Sequence, residues 1–348
     1  MPVPLARSRT AHYKPILAWF CIFAVLWTMC LLFAGGFTTS IRAGMAFLDW
    51  PLSNGSLNPP GWLTEADKRA EHSHRLIGAT VGLLTLAMGV WVFVREERRW
   101  LRRLAVIAIA LVVVQGLLGG ARVKFDQLNT QFETNIVAQT FAVVHACTAQ
   151  VFLCVLVTIA VANTRRWVER TGGLQREPSA SMRRAGIAAC VVVLVQLLLG
   201  AVMRHSQAWA AIPTFPFSTA DDGWLPTQWD FRTTVHFAHR AWAVVVLVTL
   251  MWFTGRLWAA RHIGRVLGAG SLVVTILLGV QIWLGALIVW TQHNAQAATL
   301  HMLCGACLLA TCWGLTLLCH RFRFSDAAAP AQARPVSGLD HATNAAGT

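Results

Sequence analysis

The sequence predicts an all-α polytopic membrane protein, with eight transmembrane helices arranged as two pseudo-symmetric four-helix bundles. Three observations carry this reading. The 348-residue chain is 56% hydrophobic and only 13% charged, too little charge for a soluble protein of its length. Its apolar residues fall in windows near 16–37, 74–94, 104–123, 139–162, 185–204, 236–255, 264–290 and 298–319, each close to the roughly 20 residues that a helix needs to cross bilayer hydrocarbon. The chain also repeats itself. QGLLGGARV (115–123), QLLLGAVMR (196–204) and QIWLGALIV (281–289) share Q-x-x-L-G, and EHSHR (71–75) returns as HFAHR (236–240).

The elements follow in order. Residues 1–15 form a cytoplasmic N-terminus, and the window after them is too long for a removable signal peptide. Four windows make an N-terminal half over 16–162. A polar, proline-containing linker at 163–184 leads to a C-terminal half over 185–320. The Ala/Pro-rich stretch 321–348 reads as a disordered cytoplasmic tail. The Q-x-x-L-G segments read first as packing motifs, in which small residues let helices approach and a glutamine bonds across to a neighbour. Two outer loops, 43–62 and 208–229, both place an aromatic-Pro pair before a Gly-containing polar stretch. Their length suits lids rather than connectors.

Charge orients the bundle. Arg7, Arg9 and Lys14 precede the first window, five arginines fill 95–103, and six fill 163–184. Arg256, Arg261 and Arg265 mark the next turn on that side, and Arg321, Arg323 and Arg334 follow the last window. By the positive-inside rule both termini are cytoplasmic. The net charge of +14 is thus a topology signal and a contact for membrane lipid, and calls for no nucleic-acid partner. All nine cysteines lie in apolar runs. They read as small packing residues, with a redox or metal role for the Cys304/Cys307 pair left open.

Of twelve histidines, His72, His74, His145, His236, His239 and His301 fall at or inside the windows. Glu71 and His74, three residues apart, share a helix face about 60° apart, as do His236 and His239, while His72 points elsewhere. The second, fourth, sixth and eighth helices all run inward and carry His74, His145, His239 and His301 near their outer ends. Each half therefore offers two imidazoles at similar depth, the usual way a bundle holds a haem iron on both axial sides. Such histidines could instead be interfacial and bonded to a loop, but a matched set of four favours metal ligation. Zinc suits the pattern less, because each half supplies too few matched ligands. Arg75 and Arg240 could each pair with a haem propionate or snorkel to the interface.

With EHSHR, DWPLSNGSLNP, VHACTAQ, HFAHR and TLHMLCG in this order, the chain resembles the haem A synthase family over roughly residues 15–320. That family converts haem O to haem A for cytochrome oxidase. The resemblance implies that His239 and His301, with Arg240 beside them, hold a haem b as redox cofactor. His74, His145 and Arg75 would then line the site for the substrate, haem O, and Glu71 would be the acid required for turnover. A porphyrin methyl would be oxidised to a formyl through successive hydroxylations. The resemblance further implies a bacterial plasma membrane or a mitochondrial inner membrane, of which the short loops and an N-terminus unlike a transit peptide favour the bacterial one, with a haem O synthase as supplier and a membrane electron acceptor. A homo-oligomer is compatible with it. The first outer loop lacks the cysteine pair of many relatives, and IRAGMAFLDWP departs from their small-residue run. The competing reading is a di-haem electron carrier with permanent haems in both halves, against which Glu71 opposite His236 argues for one reacting half. A two-repeat transporter fits less well, since the polar groups gather at the outer face rather than the midplane.

Overall fold

A computed structural model of the protein describes residues 12–128, 135–169, 174 and 176–326. Among the described residues, eight helices are long and apolar enough to cross a membrane. They are α1 (Pro15–Ser40), α2 (Ala66–Arg95), α3 (Arg99–Leu128), α4 (Ile136–Asn163), α5 (Ala180–His205), α6 (Phe231–Ala259), α7 (Arg265–Trp290) and α8 (Ala295–Asp326). The protein is an integral, multi-pass membrane protein. Helices are the form such segments must take, because hydrocarbon offers backbone amides and carbonyls no other partner. Their starts follow local chemistry. Pro15 opens α1, where its missing N–H costs nothing. Asn135, Ser179 and Asp230 cap α4, α5 and α6 through their side chains.

Within the chain, α1–α4 pack in sequence and α1 closes onto α4, while α5–α8 pack in sequence and α5 closes onto α8. The two groups meet through α1, α4, α5 and α8. One apolar core lies inside α5–α8 around Leu250, Phe253, Leu267 and Cys312. Another lies inside α1–α4 around Leu17, Met88, Leu101 and Ile159. Leu153, Val157 and Ala306 fill the seam between them. Polar bonds also cross the seam. Trp313 Nε1 donates to Thr158 Oγ1 at 2.9 Å, and the Ser40 and Thr299 hydroxyls lie 3.0 Å apart. Leu83, Val94, Leu117, Val248 and Trp283 are exposed, as lipid-facing residues should be.

Several boundaries differ from the sequence reading; among them, α5 begins at Ala180, inside the stretch 163–184 expected as linker. The second and sixth helices begin at Ala66 and Phe231, so EHSHR and HFAHR lie inside helices rather than at their mouths. Capping and amphipathic turns extend the helices beyond their apolar windows. The linker contains a short helical turn, Arg165–Val168. At the far end, Arg321 bonds the Trp167 carbonyl and α8 continues to Asp326, so residues 321–326 do not belong to a tail. Residues 1–11 and 327–348, expected as termini on the cytoplasmic side, lie outside the described residues.

Candidate functional site

The four histidines singled out from the sequence all project inward from the even-numbered helices, about two turns from each helix start. Each meets a glycine on the preceding odd-numbered helix. A Cβ added at Gly35, Gly119, Gly200 or Gly285 would stand 2.7, 3.5, 3.2 or 3.2 Å from Cε1 of His74, His145, His239 or His301 respectively. The glycines thus leave room for an imidazole against a bare helix surface. Three of them are the glycines of Q-x-x-L-G, and the glutamines reach the same rings. Gln196 Nε2 lies 3.3 and 3.2 Å from Nδ1 and Nε2 of His239 and donates to the His239 carbonyl at 3.0 Å. Gln281 Nε2 lies 3.2 Å from His301 Nε2. With its amide oriented to satisfy its neighbours, Gln115 donates to His145 Nδ1 at 3.1 Å and accepts from the Ala149 amide at 2.9 Å. Sequence reasoning took these glutamines for packing residues. Their i, i+4 spacing to the glycines was the signal that they share a face with the ring site.

The His239 and His301 rings stand with centroids 6.4 Å apart. Metal–imidazole bonds of about 2 Å put two rings on opposite sides of one iron at about 6 Å, so this pair has the separation that axial ligation needs. His301 Nδ1 donates to the Gln281 carbonyl at 3.1 Å, which leaves the lone pair on Nε2, where the Gln281 amide meets it and where a metal would have to take its place. His74 and His145 are close enough to interact electrostatically, with Arg122 beside both. Among the described residues no three histidine, cysteine or acidic side chains converge on one point. All nine cysteines are free thiols, Cys304 and Cys307 among them.

Glu71 and Arg75 are drawn into the first lid. Glu71 is 4% exposed. Its Oε1 pairs with Arg75 Nη2 at 2.5 Å, and its Oε2 accepts the Phe47 amide at 3.1 Å. Arg75 also donates to the carbonyls of Phe47 at 3.1 Å, Asp49 at 2.7 Å and Leu52. His72, on the other helix face, fastens the same loop through Ser53 Oγ at 2.9 Å and the Leu57 carbonyl at 3.1 Å. The second lid is held alike. Arg240 donates to Phe217 O at 3.2 Å, Ile212 O at 3.0 Å and His236 Nε2 at 3.1 Å, and the Ile212 amide meets His236 Nδ1 at 3.2 Å. Both arginines therefore point into loops, an outcome that neither propionate pairing nor snorkelling anticipates.

Besides Arg75 and Arg240, which act electrostatically on His74 and His239, two cations that the sequence reading passed over act on the inward histidines. Arg122, at the outer end of α3, stands against Gly44 and acts electrostatically on His74 and His145. Arg204, at the end of α5, bonds Gly36 O and Ser40 Oγ on α1, and acts on His301. Each lies about two turns beyond the glutamine of its own helix, a spacing visible in the sequence.

Residues 18–313 match the family described as Cytochrome oxidase assembly protein, COX15-CtaA. The chain belongs to this family. It is 29% identical over 338 residues to the Heme A synthase of Geobacillus kaustophilus, covering 95% of this chain and 97% of that relative. It is 27% identical over 306 residues to the Heme A synthase of Bacillus licheniformis, covering 86% and 95%. To that of Listeria monocytogenes it is 26% identical over 306 residues, covering 83% and 95%. Within the family, then, the alignment takes in every helix that bears an inward histidine.

Proposed function

We propose that this protein is a haem A synthase of the bacterial plasma membrane. In this reading it oxidises one porphyrin methyl group of haem O to a formyl, with haem b as its resident redox group. The observation that carries the reading is the half-buried pair His239 and His301, whose rings stand 6.4 Å apart on facing helices in a chain of the cytochrome oxidase assembly family.

His239 and His301 hold the haem b iron, and that group supplies the one-electron chemistry that side chains lack. His74 and His145 hold haem O by its iron in the N-terminal half. Arg122 and Arg204 offer guanidiniums to carboxylates at the outer ends of the two sites. Arg75 and Arg240 act one step further out, closing each lid over its site. Glu71 joins lid and site. Its carboxylate binds the Phe47 amide and Arg75, and each oxygen keeps a lone pair with which to accept a proton or orient water as the methyl carbon is oxidised. The charge pattern of the loops supports cytoplasmic termini. A haem O synthase would deliver the substrate and a membrane electron acceptor would drain the electrons.

Co-expression with a haem O source, followed by pigment extraction, tests this. Wild-type protein should yield haem A and haem b. Glu71→Ala should keep haem b and lose the formylated product, and His301→Ala should lose the b-type spectrum. Two equivalents of haem b with no haem O or haem A would instead indicate a di-haem electron carrier.

A further inference from the structure

The two halves place their outer arginines on helices that the repeat does not pair. Arg122 follows the His145-facing glycine of α3 by three residues, and Arg204 follows the His239-facing glycine of α5 by four. The repeat matches α3 with α7 and α5 with α1, where the corresponding residues are Ile288 and Thr39. The difference has a spatial consequence, because α5 is one of the four helices at the seam between the halves and α3 is not. Arg204 Nη2 donates across that seam to the Gly36 carbonyl and, at 2.6 Å, to Ser40 Oγ on α1. Gly36 follows the glycine that backs His74, and a Cβ there would strike Met302, the residue after His301. Ser40 in turn lies 3.0 Å from Thr299, two residues before His301. His205, the next residue on α5, is within electrostatic reach of Arg122 and His145. The outer end of α5 thus stands between the two pairs of imidazoles, with Arg204 acting on His301 as well.

Arg204 is half-buried, and among the described residues no carboxylate pairs with it. Both its bonds leave from Nη2. A guanidinium carries five N–H donors, so those of Nε and Nη1 remain for anions on two sides. We propose that Arg204 is an anchor shared by both sites. It binds a carboxylate of the porphyrin on His74 and His145 and a carboxylate of the porphyrin on His239 and His301, and so fixes the substrate against the redox group. Arg122, away from the seam, serves the N-terminal porphyrin alone. This inference rests on the reading that haem O occupies the N-terminal half and haem b the C-terminal one.

The test uses whole, detergent-solubilised protein and takes two readings. Optical redox titration gives the haem b midpoint before haem O is added, and excess apomyoglobin then captures haem O as it dissociates from loaded protein. At the roughly 8–10 Å between packed helices and an effective dielectric of about 20, losing one positive charge disfavours the reduced iron about ten-fold. For a one-electron couple that is about 59 mV. Arg204→Met should lower the midpoint by about this much and also speed haem O release roughly ten-fold, as loss of a charged hydrogen bond does. Arg122→Met should speed haem O release and leave the midpoint near that of wild type. Arg204→Lys keeps the charge but not the fork, so it should hold the midpoint and still speed haem O release. It also keeps the test open if Arg204→Met does not accumulate. Ser40→Ala removes a bond across the seam without touching the charge, and should change neither reading. A change in only one reading in Arg204→Met would overturn the inference, as would Ser40→Ala reproducing both changes. Wild-type protein that takes up no haem O would overturn the substrate assignment itself.

Discussion

Alanine at the four glycines that face the histidines should affect haem binding in the order of the space each leaves. A methyl at position 35 would sit 2.7 Å from His74 Cε1 and 3.1 Å from Nδ1, against about 3.5–4.0 Å for an unstrained carbon contact. The ring would have to retreat by most of an ångström, and α2, which carries it, packs against both α1 and α3. Overpacking of this kind costs about 1–3 kcal/mol. That outweighs the roughly 1 kcal/mol that alanine gains over glycine in a helix. At Gly200 and Gly285 the gap is 3.2 Å, so the two effects nearly cancel and the ring moves by a few tenths of an ångström. At Gly119 the methyl meets His145 at 3.5 Å, an ordinary contact, and the helix gain remains. Gly35→Ala should therefore lose haem O while retaining haem b. Gly200→Ala and Gly285→Ala should loosen haem b modestly. Gly119→Ala should bind both pigments and melt no lower than wild type. The assay is pigment content per protein after purification, with thermal unfolding in detergent alongside. Equal losses at Gly35 and Gly119 would refute the argument that the glycines serve the rings rather than helix packing.

Two further outcomes follow from the first lid. Arg75→Met removes the donor to three lid carbonyls and leaves Glu71 as a buried, unpaired carboxylate, a change worth about 3–5 kcal/mol; proteolysis within residues 50–60 should accelerate and the melting temperature should fall, while His239 and His301 still bind haem b. Asp49 holds the lid turn through the Asn54 and Gly55 amides at 2.7 and 2.8 Å. Burial pushes its carboxyl up, but the Gly55 and Asn54 amides and Arg75 together outweigh this and hold it below its ordinary value. A carboxyl lowered by folding stabilises above its unfolded pKa of about 3.9 and loses that contribution as pH falls through its folded value. Hydrogen exchange at Asn54 and Gly55 should therefore gain protection from Asp49 at neutral pH and lose it only in strong acid, and Asp49→Asn should remove much of that protection at neutral pH while matching wild type in strong acid.

The fold was legible because its signals are local and summed over many residues: eight apolar windows, alternating loop charge and repeated motifs. The placement of the four histidines was legible too, since helix period and the repeated motifs put His74, His145, His239 and His301 at matching turns of their helices. What escaped the sequence was partnership across helices. His72 was rightly separated from His74 by helix geometry, yet nothing in EHSHR shows that it fastens Ser53 and Leu57. Arg75 and Arg240 were read against membrane and porphyrin because their lid partners are backbone carbonyls, which every residue possesses and no sequence marks. Gln115, Gln196 and Gln281 stood in plain view as a repeat. Their bond to the rings depends on the register between facing helices, which a single chain's pattern leaves free. Arg122 and Arg204 were hidden by the positive-inside argument, which counts arginines by loop and passes over those at outer helix ends.

Glu71 and His236 set the two halves apart, and the structure shifts what that difference means. Both side chains occupy the turn before an inward histidine, bind a lid amide and face an arginine four residues on. A carboxylate accepts from both donors at once and cancels the arginine's charge. A neutral imidazole has one lone pair, so His236 satisfies Ile212 or Arg240 but not both, and leaves the cation uncompensated. The C-terminal mouth is thus more positive than the N-terminal one, which favours lasting retention of a porphyrin bearing propionates and favours the reduced state of an iron beneath it. His236→Glu should then lower the midpoint potential of the haem b and speed its release, with His239 and His301 unaltered in the optical spectrum. An unchanged potential would mean that His236 and Glu71 serve only to tie their lids.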